Sequence, residues 1–451
     1  MTTAINNGTL IDPANRIFSK LNIGFEDGVI TSVSATPMAA DRVLDASGKY
    51  VCPGFVDLHM HEDYVSAGEI RLNIFHKMLK MGVTTAIGGN CGICTDDPAR
   101  YLDLVDRGNP IHFGMLLPHE YLRRAAGVTD RYGPVSAATI REMSTHGKRL
   151  MKEAGLLGVS FGIRYVPGAD FAELSEIARL GRGACLCAHV RDDAAAIFPS
   201  IEEFLSLADG TDTHFQISHI GSMAGFGQMR QVYAMVDETR AARGLSVSFD
   251  CYPYGAFCTA IGAATYDEGF LERYGAGYGD LEVAEGPHKG ERCTEALFRE
   301  IRAKSPGTLL IAHVMQEEEI AFALANPNTV VASDGILGET GDGHPRAAGT
   351  FPRFLSCYVR DQKTMSLYEG IRKITAMPAD ILGTHKGRLS VGADADLVIF
   401  DYEKLADRAA FAESALPPEG IDCVIVGGEI AYRDGVIRND RAGRSVRKAK
   451  N

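Results

Sequence analysis

The chain reads as an α/β protein: a (β/α)8 barrel of the TIM type carrying a small, discontinuous β-sandwich built from both chain ends. Three observations predict this. Short apolar runs alternate with helical periodicity through the middle of the chain, the mark of repeated β-α units and parallel strands. Both ends alternate apolar and polar residues between Gly, Asn and Asp turns. The length, 451 residues, accommodates a barrel and an appended smaller domain.

Residues 1–50 form the N-terminal part of the small domain, with a hairpin pattern in Leu21-Asn-Ile-Gly-Phe-Glu-Asp-Gly-Val-Ile30. Residues 385–451 repeat the style in 387–400 and 423–432 and supply its other part. Between them, 51–384 is expected to be the barrel, with strand candidates at 52–58, 83–89, 111–117, 156–162, 184–190, 214–220, 246–252, 309–314 and 329–333. Nine candidates exceed eight strands, so 309–314 is assigned to the connection between the seventh and eighth. The Gly-rich, weakly periodic stretch 255–300 is read as an insertion near the site.

Composition narrows the function. Apolar residues make up 45% and charged residues 23%, which is ordinary globular usage. Against 46 basic residues stand 58 acidic ones, and a net charge of −12 opposes binding to nucleic acid or anionic lipid. The basic tail Arg441 to Lys450 is the exception and is expected to be a solvated terminus. There is no signal-peptide pattern and no run of transmembrane length, and the ten cysteines are scattered as reduced thiols would be, so the expected location is cytoplasmic. Cys91 and Cys94 make a lone Cys-x-x-Cys without a second pair.

In a parallel barrel the chemistry sits where strands end at their C-terminal side. His59 and His61 follow the first run, and their alternate spacing projects both to one face, as two ligands of one ion would be. Cys91 follows the second run, His189 the fifth, His219 the sixth and Asp334 the eighth. Any one of these histidines alone has a structural reading; together the six point to a metal. His313 and His344 are expected near the site without being ligands, and the other seven histidines are expected to be structural.

The chain resembles the amidohydrolase superfamily and, within it, the N-acyl-D-amino-acid deacylase (D-aminoacylase) family. The matching stretches include Gly54-Phe-Val-Asp-Leu-His-Met-His-Glu-Asp63, Gly82 to Gly92, Gly158 to Gly168, Ala188-His-Val-Arg-Asp192, Ile217-Ser-His219 and Asp250-Cys-Tyr-Pro-Tyr254. Ala332-Ser-Asp-Gly335, His344-Pro-Arg346, Gly349 to Arg353 and Lys386 to Asp401 continue the match in family order. The fourth strand, Leu157-Gly-Val-Ser-Phe-Gly162, lacks the carboxylated Lys of dihydropyrimidinases, dihydroorotases and ureases. The resemblance implies Cys91, His189 and His219 around a tightly held metal, with His59, His61 and Asp334 around a second, looser one. A thiolate with imidazoles favours Zn2+.

The activity implied is hydrolysis of the amide bond of N-acyl-D-amino acids or related D-residue amides by metal-activated water, with a small-molecule substrate. Asp334 is the expected general base and proton donor, with a purely ligating role as the alternative. Arg346 with Tyr252 or Tyr254 is expected to bind the α-carboxylate, and Arg353 is assigned to the surface. The chain departs from the family at His219-Ile-Gly-Ser222, where Gly221 and Ser222 replace the basic residue that members commonly carry. Carboxylate recognition is then altered or supplied elsewhere, and a variant amide, a D-residue dipeptide or a larger acylated amine stands beside the standard substrate. A deaminase or a cyclic-amide hydrolase of the same superfamily is the alternative activity, and a homo-oligomer is compatible with the chain.

Overall fold

The computed structural model describes residues 1–207 and 212–448. Its centre is a set of parallel strands in two sheets. Phe55–Asp57 pairs with Val83–Gly88, which pairs with His112–Met115. After a break at Leu116 the strand resumes as Leu117–Pro118, which opens a second sheet running through Gly158–Gly162, Cys185–His189, His214–Ile217, Ser246–Cys251 and Thr329–Val331. Nearly every residue of these strands is buried, as expected when helices cover one face and packed side chains the other. Backbone bonds join the two sheets on both sides: Leu157 N–H donates to the Met115 carbonyl at 2.9 Å, and Asp334 N–H to the His59 carbonyl at 2.8 Å.

The helices between strands begin with side-chain caps that the sequence supplies. Asp97 accepts from Arg100 N–H ahead of Pro98–Val105, Ser136 from Thr139 N–H ahead of Ala137–Glu153, and Asp170 from Glu173 N–H ahead of Phe171–Ala178. Their apolar stripes close over the strands; Ile140, Met143 and Leu150 are buried on the second of these helices.

Both ends of the chain meet in one nine-stranded sheet. Tyr50–Pro53 is the seam: it runs parallel to Thr2–Asp12 on one side and antiparallel to Leu397–Phe400 on the other. The expected hairpin forms between Ile17–Glu26 and Val29–Ser34, and Asp27 and Gly28 turn the chain with φ of 49° and 82°, the two left-handed positions of a tight hairpin turn. Ile5, Leu10, Ile23, Val51, Leu397 and Ile425 build the core of this sheet. Asp396 ties it to the parallel strands: its carboxylate accepts from Lys386 Nζ at 2.8 Å, lies 3.1 Å from His112 Nε2, and accepts from Gly427 N–H at 2.7 Å.

One expectation gains detail and one is revised. The stretch 255–300 is more ordered than its composition suggests: Phe257–Ala260 and Leu281–Val283 both pair antiparallel with Leu309–Ala312, so the surplus ninth strand belongs to a small sheet of its own. The basic tail is not a solvated terminus over its described part. Ser445–Val446 adds parallel to His112–Met115, Asp106 accepts from Ser445 N–H at 2.8 Å, and Arg447 Nη2 lies 2.9 Å from Asp103. Asp103 on the helix Pro98–Val105 and Asp106 just beyond it give Arg447 its partners, while Arg441, Arg444 and Lys448 stay exposed. Lys450 lies outside the described residues.

Candidate metal centre

The six ligand-type residues converge from five loops and strand ends. His59, His61, Cys91 and Asp334 place one donor atom each within 4.8 Å of one another, and so do Cys91, His189 and His219. Cys91 belongs to both groups. Its Sγ lies 3.4 Å from His59 Nε2 and 3.3 Å from His219 Nε2, while Asp334 Oδ1 lies 3.4 Å from His59 Nε2 and 3.3 Å from His61 Nε2. A tetrahedral zinc ion with ligands at about 2.0–2.3 Å needs neighbouring donors about 3.3–3.6 Å apart, and these pairs fit. His189 Nδ1 is buried with no hydrogen-bond partner.

The backbone is bent to deliver these groups. Cys91, His219 and Asp334 all have positive φ, at 52°, 33° and 46°, a conformation non-glycine residues adopt rarely and at a cost. Asn90 secures the first, its Nδ2 donating to the carbonyls of Leu58 at 3.1 Å and Ile87 at 3.0 Å. The Cys91 loop presses on Gly162 so closely that a Cβ there would overlap the Cys91 carbonyl. The end of the fourth strand, where other amidohydrolases were expected to carry a bridging Lys, is thus filled by the loop that presents the thiol.

Buried carboxylates orient the imidazoles. Asp250 accepts from His219 N–H at 2.7 Å and Gln216 Nε2 at 3.1 Å, and His59 Nδ1 lies 3.2 Å away, which leaves Nε2 of His59 facing Cys91. Asp57 accepts from His59 N–H at 3.2 Å and Ser333 N–H at 3.0 Å; burial pushes its carboxyl up to about 7 against those bonds. For Cys91, burial disfavours the thiolate, but the neighbouring His219 and His59 outweigh it and hold the thiol well below its ordinary range. For Asp334, burial is likewise outweighed, by Arg346 first and then by the histidines, so it is an ionised acceptor.

Arg346 is buried beside this group. Its Nη2 lies 3.0 Å from Asp334 Oδ2 and donates to the Cys258 carbonyl at 3.2 Å, while Nε and Nη1 have no partner. Tyr252 lies under its guanidinium at 4.6 Å. Tyr254 is not brought to the centre: its hydroxyl donates to Asp407 at 2.8 Å, and its ring lies under Arg353. His313 is paired with Glu282 at 3.1 Å, and His344 accepts from Arg346 N–H at 3.0 Å. Cys94 donates to the Asp96 carbonyl at 3.0 Å, and all ten cysteines are free.

Two open spaces reach the centre. An inner compartment of only about 20 Å³ is lined by His189, His219, Asp334 and Arg346, and a wider cleft by His61, Ile93, Val166 and Leu337. Tyr165 and Thr259 border both. Asp250 and Tyr165 carried no assigned role in the sequence reading; Asp250 could have been collected because it too ends an apolar run, Val247-Ser-Phe-Asp250.

A thiol, four imidazoles and a carboxylate at the ends of parallel strands define an amidohydrolase-type centre, and comparison agrees. A model of the Amidohydrolase family matches residues 42–105 and 316–432. N-acyl-D-glutamate deacylase from Alcaligenes xylosoxydans xylosoxydans is 30% identical, with 98% of this chain and 96% of the relative covered. A structure of N-acyl-D-glutamate deacylase from Bordetella bronchiseptica, complexed with zinc and a phosphonate inhibitor, superposes with a TM-score of 0.85 at 28% identity, covering 99% of each chain. A structure of D-aminoacylase, described as having a binuclear metal centre, gives 0.86 at 26%, covering 98% of this chain and 99% of that one. The chain belongs to the N-acyl-D-amino-acid deacylase family of amidohydrolases.

Proposed function

We propose that this protein is a zinc-dependent hydrolase that cleaves the amide bond of N-acyl-D-amino acids or closely related D-residue amides. The observation that carries the reading is one buried thiol, Cys91, shared by two sets of donors next to an arginine with two unpartnered N–H groups. Cys91, His189 and His219 are the proposed ligands of a tightly held ion, and His59, His61 and Asp334 those of a second, looser one. Zinc in such a set supplies Lewis acidity to an amide carbonyl and brings the pKa of a water to about 7.

The chain's own groups do the rest. Asp334, ionised and within reach of His61, takes the proton of the attacking water and returns it to the leaving amine. Arg346 is the proposed partner of the α-carboxylate through an N–H that no protein group takes, and Tyr252 beneath it fixes the guanidinium plane. We read the two parallel sheets as one eight-stranded barrel over 51–384, supported by the bonds between the His59 and Asp334 segments. On this reading 1–50 and 385–437 form one small β-sandwich domain, with Ser445–Val446 crossing to the barrel strand His112–Met115, and the free cysteines support a cytoplasmic setting.

The test is amino-acid release by zinc-loaded protein from N-acetyl and N-formyl D- and L-amino acids and L-Xaa-D-Xaa dipeptides. Turnover confined to D-configured substrates is expected. Full metal occupancy with no turnover, or preference for the L series, overturns the reading.

A further inference from the structure

The thiol shared by both donor groups is carried by a loop that other segments hold in place. Cys91 sits at φ 52° within the run Gly89–Thr95, a conformation that persists only where its surroundings enforce it. His59, His61 and Asp334 are tied to one another through the backbone: Asp334 N–H donates to the His59 carbonyl and His61 N–H to the Gly335 carbonyl, both at 2.8 Å. Among the described residues the Cys91 loop is joined to the segment of His59 and His61 by side chains instead.

Glu62 makes that join on both flanks of the cysteine. Buried directly after His61, it accepts from Gly89 N–H at 3.0 Å through Oε2 and from Thr95 N–H at 2.8 Å through Oε1. The fit is close: a Cβ on Gly88 would lie 2.7 Å from Oε2, so a glycine there makes room for the carboxylate. The middle of the loop is held by Asn90, whose Nδ2 donates to the Leu58 carbonyl, and by Ser160, whose Oγ accepts from Gly92 N–H at 2.9 Å. None of these bonds uses the thiol, which is left to face His59 and His219. Exchanging one oxygen of Glu62 for NH2 would set a donor against one of the two N–H groups and release one flank.

We infer that Glu62 is a positioning residue for Cys91, closing the loop Gly89–Thr95 onto the segment of His59 and His61 so that both donor groups share one thiolate. The inference rests on the reading of Cys91 as a metal ligand. Released on one flank, the loop relaxes toward an ordinary backbone conformation and the sulfur leaves the point common to the two groups. Metal is then held less tightly although none of the six donors has been changed, as happens when a partner that orients a ligand is removed.

The experiment measures Zn2+ affinity by chelator competition, and the thiolate-to-cobalt charge-transfer band of the Co2+-loaded protein, for wild type, Glu62→Gln, Cys91→Ser and the double variant. Proteins are compared where circular dichroism without metal is the same. Glu62→Gln is expected to weaken Zn2+ binding about 10- to 100-fold and to lower the band per bound cobalt. In the Cys91→Ser background the same change is expected to alter affinity by less than about 2-fold, because the residue acts through the thiol. Persistence of the full loss in that background would show that Glu62 acts on another ligand and overturns the inference. So does a Glu62→Gln protein with wild-type affinity and band, including one whose KM alone is raised, which would make Glu62 a substrate contact. Should Glu62→Gln not fold, Glu62→Asp, which draws the carboxylate back by one methylene, is expected to weaken binding in the same sense, and wild-type binding there overturns the inference. Absence of the band in the cobalt-loaded wild type removes Cys91 from the ligands and the inference with it, whereas a band that Glu62→Gln leaves intact removes the inference alone.

Discussion

Asp250→Asn tests whether the carboxylate behind the histidines matters to the metal. Three N–H groups converge on this buried side chain, from His219 backbone, Gln216 amide and His59 Nδ1, at 2.7, 3.1 and 3.2 Å. Asparagine keeps one acceptor oxygen. If that oxygen stays with His219, the new NH2 faces the Gln216 NH2, donor against donor. Gln216 cannot simply reverse, because its Oε1 already accepts from the Ser248 hydroxyl, which also bonds His214 Nε2 at 2.6 Å. One buried donor without an acceptor costs about 1–3 kcal/mol. Loss of the carboxylate behind a ligating histidine weakens metal binding about 10- to 100-fold, which is the same range. The assay is competition for Zn2+ against a chromophoric chelator, with circular dichroism to confirm an unchanged fold. Affinity within about 2-fold of wild type would refute the orienting role of Asp250.

Asp334→Asn is expected to retain the fold and most bound metal while kcat falls by about 100-fold or more, read from single-turnover hydrolysis beside metal analysis; undiminished kcat would show that Asp334 is not the base. Arg346→Gln is expected to raise KM for an α-carboxylate substrate about 10-fold or more while KM for an amide lacking that carboxylate is unchanged, a contrast visible in paired saturation curves. Asp396→Asn leaves Lys386 with Asp394 as its one carboxylate and His112 facing a neutral partner, and chemical denaturation at neutral pH is expected to show a loss of about 1–3 kcal/mol. Lys386 and His112 outweigh burial and hold the Asp396 carboxyl far below the ordinary value near 4, so its stabilisation is present in full above that value and fades as pH falls through the native one. The variant's stability is therefore expected to change less with acid than the wild type's.

The six candidate ligands were legible because each closes an apolar run, so strand direction alone sends them to one end of the molecule. Asp250 ends such a run as well, but its partner His59 lies 191 residues away, and only the packed strands show that the two meet. Tyr254 looked equivalent to Tyr252 two positions earlier. Their difference is set by Asp407, a residue of a distant loop that takes the Tyr254 hydroxyl. The small sheet of Leu309–Ala312 was half legible: the surplus strand was recognisable, whereas its partners of three and four residues among many glycines are too short to show a period. The tail misled for a similar reason. A run of cations reads as solvated throughout until the acids opposite Arg447, Asp103 and Asp106, are known.

Zinc K-edge X-ray absorption of the metal-loaded protein tests the central claim most directly, that a single cysteine thiolate joins histidines and a carboxylate in holding the metal. The account predicts one sulfur at about 2.3 Å among nitrogen and oxygen ligands at about 2.0–2.1 Å, and loss of that sulfur shell in Cys91→Ser. A shell of nitrogen and oxygen alone in the wild type would contradict it.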